Sequence, residues 1–324
     1  MSRAALVAPD SFKGTFTARK VASAIARGLR SGGVQATELP VGDGGEGTMD
    51  ALASALDAER RQATVPDALG RPVEASFALL PDGRTAIVEM AEASGLRHVA
   101  EEERDAWAAS TRGTGELIVA AVRAGAEKVV VTVGGSATTD GGAGAVEALE
   151  EAGAEVELEV VCDVRSVWED APRLYGPQKG ADPETVKRLE ERLDRLASAA
   201  PRDPRGVPMT GSAGALSGGL WAFRHARLVP GAAYVLDVVG FDELVRQADF
   251  VVTGEGRLDE QTLQGKVVAE IAARCGRVDV PCHAVVGQDS LGSAGAVELG
   301  LTSVREATTL PALEGAGRAL ASAQ

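Results

Sequence analysis

Three stretches of this 324-residue chain share an arrangement able to carry phosphate chemistry: an apolar run, then a carboxylate and glycines, then a helical pattern. They are Asp43-Gly-Gly-Glu46-Gly-Thr48, Gly134-Gly-Ser136-Ala-Thr138-Thr139-Asp140-Gly-Gly142 and Thr253-Gly-Glu255-Gly-Arg257. Glycine lets backbone N–H groups approach an anion, a following helix N-terminus favours negative charge, and a nearby carboxylate can hold Mg2+. Those are the parts that phosphoryl transfer needs. One Gly-Gly turn is equally well explained by relief of φ > 0 strain, so the weight lies in the threefold recurrence with acidic and hydroxyl residues. Two lysine-bearing loops join them. Pro9-Asp10-Ser11-Phe12-Lys13-Gly14 ends the first apolar run, where open sheets carry ligands, and Gly176-Pro-Gln-Lys179-Gly180 also reads as an ordinary tight turn.

Other chemistries find less support. Gly265-Lys266 lacks a glycine at position 260 and is followed by Val267, so it is not a P-loop, and no G-x-G-x-x-G opens the first helix. The histidines, His98, His225 and His283, have no metal-ligand spacing, and no G-x-S-x-G elbow occurs. Cys162, Cys275 and Cys282 are too few and scattered for a disulfide framework or a zinc site. A net charge of −14 disfavours nucleic acid and anionic membranes as partners, and means that an anionic substrate must be drawn by local basic groups. No apolar run is long enough to span a bilayer and no secretory signal is apparent, so a cytoplasmic protein is expected.

The elements that must position these residues follow from periodicity. Residues 4–8 form an apolar run, 17–29 a helical pattern with Thr17 as N-cap and Gly32-Gly33 as stop, and 48–56 a second helix. From residue 61 the texture changes to two strand-like runs, 73–79 and 85–90, around Pro81-Asp-Gly83, which predicts an antiparallel hairpin. Helices are expected at 114–125, 143–152 and 183–199, and a strand at 128–133. Strand-helix-strand texture returns at 249–253, 267–274 and 282–286. The expected fold is α/β: a doubly wound parallel-sheet domain from residues 1–61 and 240–324, with a second α/β domain of mixed or antiparallel strands, residues 62–239, inserted in it. This layout puts the expected active site in a cleft between the two.

These motifs, in this order across residues 9–266, resemble the bacterial type I glycerate kinase family. Ser110-Thr111-Arg-Gly-Thr-Gly115, Cys162-Asp163 and the continuation Arg257-Leu-Asp259 through Gln261-Thr262 to Gly265-Lys266 belong to the same match. The resemblance implies a two-domain α/β kinase using ATP and Mg2+ to phosphorylate D-glycerate, with the 2-hydroxyl favoured over the 3-hydroxyl. The chain departs from the family pattern at Thr139, where Asn is usual, and at Val164-Arg-Ser-Val-Trp-Glu169, where an Asn-Pro-Leu run is usual.

On that resemblance, Lys13 and Arg257 are assigned to the glycerate carboxylate or the transferring phosphoryl group, Asp43 and Glu255 to Mg2+, and Asp10 to orienting the attacking hydroxyl. The 134–142 loop, with Gly134, Gly135, Ser136, Thr138 and Asp140, is expected to cradle nucleotide phosphates. Ser11, Gly44, Gly45, Thr111, Lys179, Asp259 and Lys266 complete the expected binding set. A rival expectation is a catalytically weak nucleotide- or hydroxy-acid-sensing protein that keeps the fold, and a homodimer stays open as an assembly.

Overall fold

The computed structural model describes residues 3–12, 14–263 and 265–322. The chain divides into two compact units, Met1–Asp43 with Ala232–Gln324, and Gly44–Gly231.

The first unit is built on a five-stranded parallel sheet in the spatial order Ser303–Glu306, Cys282–Val286, Phe250–Gly254, Ala4–Pro9, Gln35–Glu38. Numbered along the chain these strands lie in the order 5-4-3-1-2, so the winding reverses between Ala4–Pro9 and Phe250–Gly254. The inner strands are apolar because helices cover both faces of such a sheet, and Val7, Ala8, Val251, Val252, Ala284 and Val285 are all buried. Helix Ala18–Ser31, capped by the Thr17 hydroxyl accepting from the Lys20 N–H, lies against helix Leu310–Ser322. Gly28 permits their close approach: a Cβ there would stand 2.0 Å from the Glu314 carbonyl oxygen.

The second unit holds a six-stranded mixed sheet, ordered Glu59–Pro66, Pro72–Leu79, Thr85–Glu89, Lys128–Val133, Glu157–Cys162, Arg227–Pro230. The first two pairings are antiparallel and the remaining three parallel. The hairpin expected around Pro81-Asp-Gly83 forms, with Phe77 opposite Val88 and Gly83 in the left-handed region at φ 68°. The segment that departs from the family pattern, residues 164–175, is anchored by Trp168, which is buried against Leu193, Ala197 and Ala215 and donates its indole N–H to the Leu193 carbonyl at 3.1 Å. Among the described residues no helix is long and apolar enough to cross a membrane.

The division between units differs from the sequence expectation at both ends, falling after Asp43 rather than near 61 and at Ala232 rather than near 240. The reason is packing. Helix Thr48–Ala55 lies on strands Pro72–Leu79 and Thr85–Glu89, and the Glu89 carboxylate accepts from the Gly47 N–H at its start, so this helix belongs to the second sheet.

Candidate active site

Three neighbouring strands of the first unit end in the residues that shape its cavity. Ala4–Pro9 runs into Asp10, Phe250–Gly254 into Glu255, and Cys282–Val286 into Gly287. The Asp10 N–H donates to the Gly254 carbonyl at 2.8 Å, tying the first two ends across the reversal. A Cβ on Gly254 would stand 2.0 Å from the Val285 oxygen, and one on Gly287 2.4 Å from the Gly256 oxygen. Glycine therefore brings these backbones together. Beyond them Arg257–Leu258 pairs in parallel with Gln288–Asp289. Above the strand ends lies a cavity of about 400 Å3 lined by Asp10, Ser11, Asp43, Glu255, Arg257, Asp259 and Lys266, together with Phe12, Thr15, Gly256, Gly287, Gln288 and Thr308. Open α/β sheets bind ligands at this kind of place.

The cavity concentrates buried acceptors. Asp10, Asp43 and Glu255 are 5%, 3% and 6% exposed. Asp10 Oδ1 accepts the Ser11 N–H at 2.6 Å, and Glu255 Oε1 accepts the Thr262 hydroxyl at 2.7 Å. Burial pushes the Glu255 carboxyl up to about 7, with Asp43 and Asp259 adding to the rise while the Thr262 hydrogen bond and Lys266 oppose it. Lys266 is the N-cap residue of helix Val267–Gly276, so the positive end of that helix opens at the cavity wall. Arg257 is more exposed than its expected role requires, with 61% of its side chain accessible. Its Nε donates to Ser290 Oγ at 3.2 Å and stands 3.8 Å from Asp259. Lys13 lies outside the described residues.

Such a set, hard carboxylate oxygens beside an Arg and a Lys, can accept hydrogen bonds from hydroxyls and pair with an anionic group. Asp43 and Glu255 fit Mg2+: both are buried oxygen donors lining one cavity, and the charge of Asp43 adds to the rise of the Glu255 carboxyl. Among the described residues no three His, Cys, Asp or Glu side chains cluster closely enough to hold a metal on their own. Mg2+ accommodates this, because it is bound by one or two carboxylates and completed by substrate phosphates and water.

The remaining expected residues gather in the second unit. The two glycine-rich motifs there lean on each other: Val133 N–H donates to the Gly44 carbonyl at 2.9 Å, and a Cβ on Gly134 would stand 2.5 Å from Gly45 Cα. Gly135, Gly141 and Gly142 all adopt positive φ. Lys179 lies beneath the 134–142 loop, 1% exposed, and its Nζ donates to Ser136 Oγ at 2.7 Å and to the Thr138 carbonyl at 2.5 Å. Burial pulls this amine down to about 7 despite the carboxylates of Asp140 and Asp163. Asp140 and Thr111 are joined: Asp140 Oδ2 accepts both the N–H and the hydroxyl of Thr111, at 2.8 and 2.9 Å. The same carboxylate also takes the N–H groups of Gly142 and Gly144, at the start of helix Ala143–Glu151.

Two features escaped the sequence reading. Gly287 and Gln288 line the cavity, and the signal was present, since the apolar run 282–286 ends in a glycine as the other strands do. Glu89 looks in sequence like the polar end of a strand. It is 3% exposed, accepts the N–H groups of Gly47 and Met49 at 2.9–3.1 Å, and burial raises its carboxyl to about 7.

Comparison with known proteins identifies the family. The profile of the glycerate kinase family matches residues 5–152 and 148–321. The chain is 38% identical to a glycerate kinase of Bacillus subtilis (strain 168), covering 92% of this chain and 88% of that one. It is 36% identical to a glycerate 2-kinase of Escherichia coli (strain K12), covering 87% and 84%. A crystal structure assigned to glycerate kinase 2 of Salmonella typhimurium LT2 superposes with a TM-score of 0.84 at 32% identity, over 100% of this chain and 98% of that one.

Proposed function

The chain belongs to the glycerate kinase family, and from that premise we propose that it transfers the γ-phosphoryl group of ATP to the 2-hydroxyl of D-glycerate. One observation carries the reading: Asp10, Asp43, Glu255, Arg257 and Lys266, distant in sequence, line one cavity at the winding reversal of the first unit. The preference for the 2-hydroxyl leans on the E. coli relative, which is named a glycerate 2-kinase.

In this mechanism Asp10 accepts a hydrogen bond from the attacking hydroxyl and holds its oxygen toward the phosphoryl group. Arg257, together with Lys13 of the Pro9–Gly14 motif, takes the substrate carboxylate or the transferring phosphoryl oxygens. Lys266 and the helix start behind it stabilise negative charge that develops on those oxygens. Asp43 and Glu255 hold Mg2+, which when bound neutralises charge on the nucleotide phosphates. For the nucleotide the candidate is the 134–142 loop, where Gly135 adopts the left-handed conformation that anion-binding turns use and Ser136 and Thr138 supply hydroxyls.

The test is ADP release from ATP and D-glycerate by the purified protein, with the product resolved by 31P nuclear magnetic resonance. Mg2+-dependent 2-phosphoglycerate is the expected result. 3-Phosphoglycerate would overturn the regiochemistry alone, and tight binding of ATP or glycerate without turnover would favour the sensing protein instead.

A further inference from the structure

We propose that Thr262 is a positioning residue that sets which oxygen of Glu255 faces the ligand. The inference rests on the reading that Glu255 meets the cation or the substrate. Thr262 is wholly buried and its hydroxyl is committed on both sides: Oγ1 accepts the Asp259 N–H at 3.2 Å and donates its one proton to Glu255 Oε1 at 2.7 Å. A hydroxyl held as acceptor by a backbone N–H has its proton directed elsewhere, and here the recipient is a carboxylate, which makes the bond charge-assisted.

The backbone reinforces the geometry. Thr262 N–H donates to the Asp259 carbonyl at 2.9 Å, and the Gly265 N–H donates to the Thr262 carbonyl at 3.2 Å. Hydrogen bonds from Asp259 and Gly265 and to Glu255 thus converge on Thr262, while Glu255, Asp259 and Lys266 line the cavity. With Oε1 taken, Oε2 carries no hydrogen bond among the described residues and is the oxygen left for a ligand. Loss of the hydroxyl frees the carboxylate to rotate, whereas loss of the methyl alone leaves both hydrogen bonds intact.

Three variants decide it, with Thr262→Ala held in reserve should Thr262→Val fail to fold by circular dichroism: Thr262→Val, Thr262→Ser and the reference Glu255→Gln. Each is measured for kcat and KM with D-glycerate and saturating ATP, and for Mn2+ binding without nucleotide by electron paramagnetic resonance. Thr262→Val, or Thr262→Ala in its place, should lower kcat at least tenfold, leave the glycerate KM within threefold and weaken Mn2+ binding at least threefold. Thr262→Ser should restore kcat and Mn2+ affinity to within threefold of the parent. The proposal falls if Thr262→Val matches the parent in both readouts while Glu255→Gln is inactive, or if Thr262→Ser is as damaged as Thr262→Val. Full activity of Glu255→Gln would instead remove the reading of the cavity, and this proposal with it.

Discussion

The two units use the same sequence device, a carboxylate and glycines at the end of an apolar strand, to opposite ends. In the first unit Asp10, Asp43 and Glu255 line an open cavity, and Glu255 keeps one oxygen clear of hydrogen bonds among the described residues. In the second unit Asp140 takes four donors, from Thr111, Gly142 and Gly144, and Glu89 takes the N–H groups at the start of helix Thr48–Ala55. Glu89 and Glu255 are both buried and both raised to about 7. Burial and a perturbed carboxyl are therefore common to both glutamates; what differs is how far the protein's own donors saturate the oxygens.

The comparison breaks most visibly at Asp43. Asp43→Asn should lower kcat/KM by roughly 100- to 1000-fold, the loss seen when a group that stabilises developing charge is removed. The protein should remain folded by circular dichroism, because Asn is isosteric with Asp at this cavity-lining position. At Arg257 the effect is smaller: Arg257→Ala should raise the glycerate KM about tenfold, the value of one charge-assisted hydrogen bond. With 61% of the side chain exposed, a change under threefold would assign Arg257 to the surface pair with Asp259.

Much of this difference was hidden from the sequence for physical reasons. The strand-end carboxylates, the Thr17 cap and the 81–83 turn are local signals, set by residue type and spacing. Which sheet a helix covers is not local. The pattern of residues 48–56 shows an apolar face but not its partner, and the unit boundary consequently moved from 61 to 43. The same holds for Asp140, whose donors at Thr111 are 29 positions away, and for Glu89, whose donors at Gly47 and Met49 precede it by about 40. Arg257 lines the cavity, but its 61% exposure and its pairing with Gln288 arise from tertiary structure that residue type and spacing do not announce.

In the second unit the cost should appear in stability instead of turnover. Asp140→Ala strands four donors and should lower unfolding free energy by about 2–4 kcal/mol in urea titrations, with kcat per folded molecule at saturating ATP within threefold of the parent. A collapse of activity in a fully folded Asp140→Ala protein would move this carboxylate into the chemistry.

The smallest effect is a pH slope. A carboxyl raised to about 7 in the folded state and near 4.5 when unfolded binds an extra proton in the folded state between those values, so stability falls as pH rises from 4.5 to 7. Glu89 contributes such a slope, with Glu92 adding to the rise and Arg97 opposing it. Glu89→Gln should flatten that part of the stability profile by up to about 3 kcal/mol, at about 1.4 kcal/mol per pKa unit, as read from urea midpoints at pH 5 and 7.5. An unchanged slope would show that the Glu89 carboxyl is not shifted.

The most direct test pairs the two glutamates. Glu255→Gln and Glu89→Gln each replace a buried carboxyl of similar perturbation with a neutral isostere, and both are assayed for steady-state turnover of D-glycerate and ATP as folded protein. The account predicts a loss of at least about 100-fold in kcat for Glu255→Gln and a change within threefold for Glu89→Gln. Equal losses in both, or a Glu255→Gln enzyme within threefold of the parent, would contradict it.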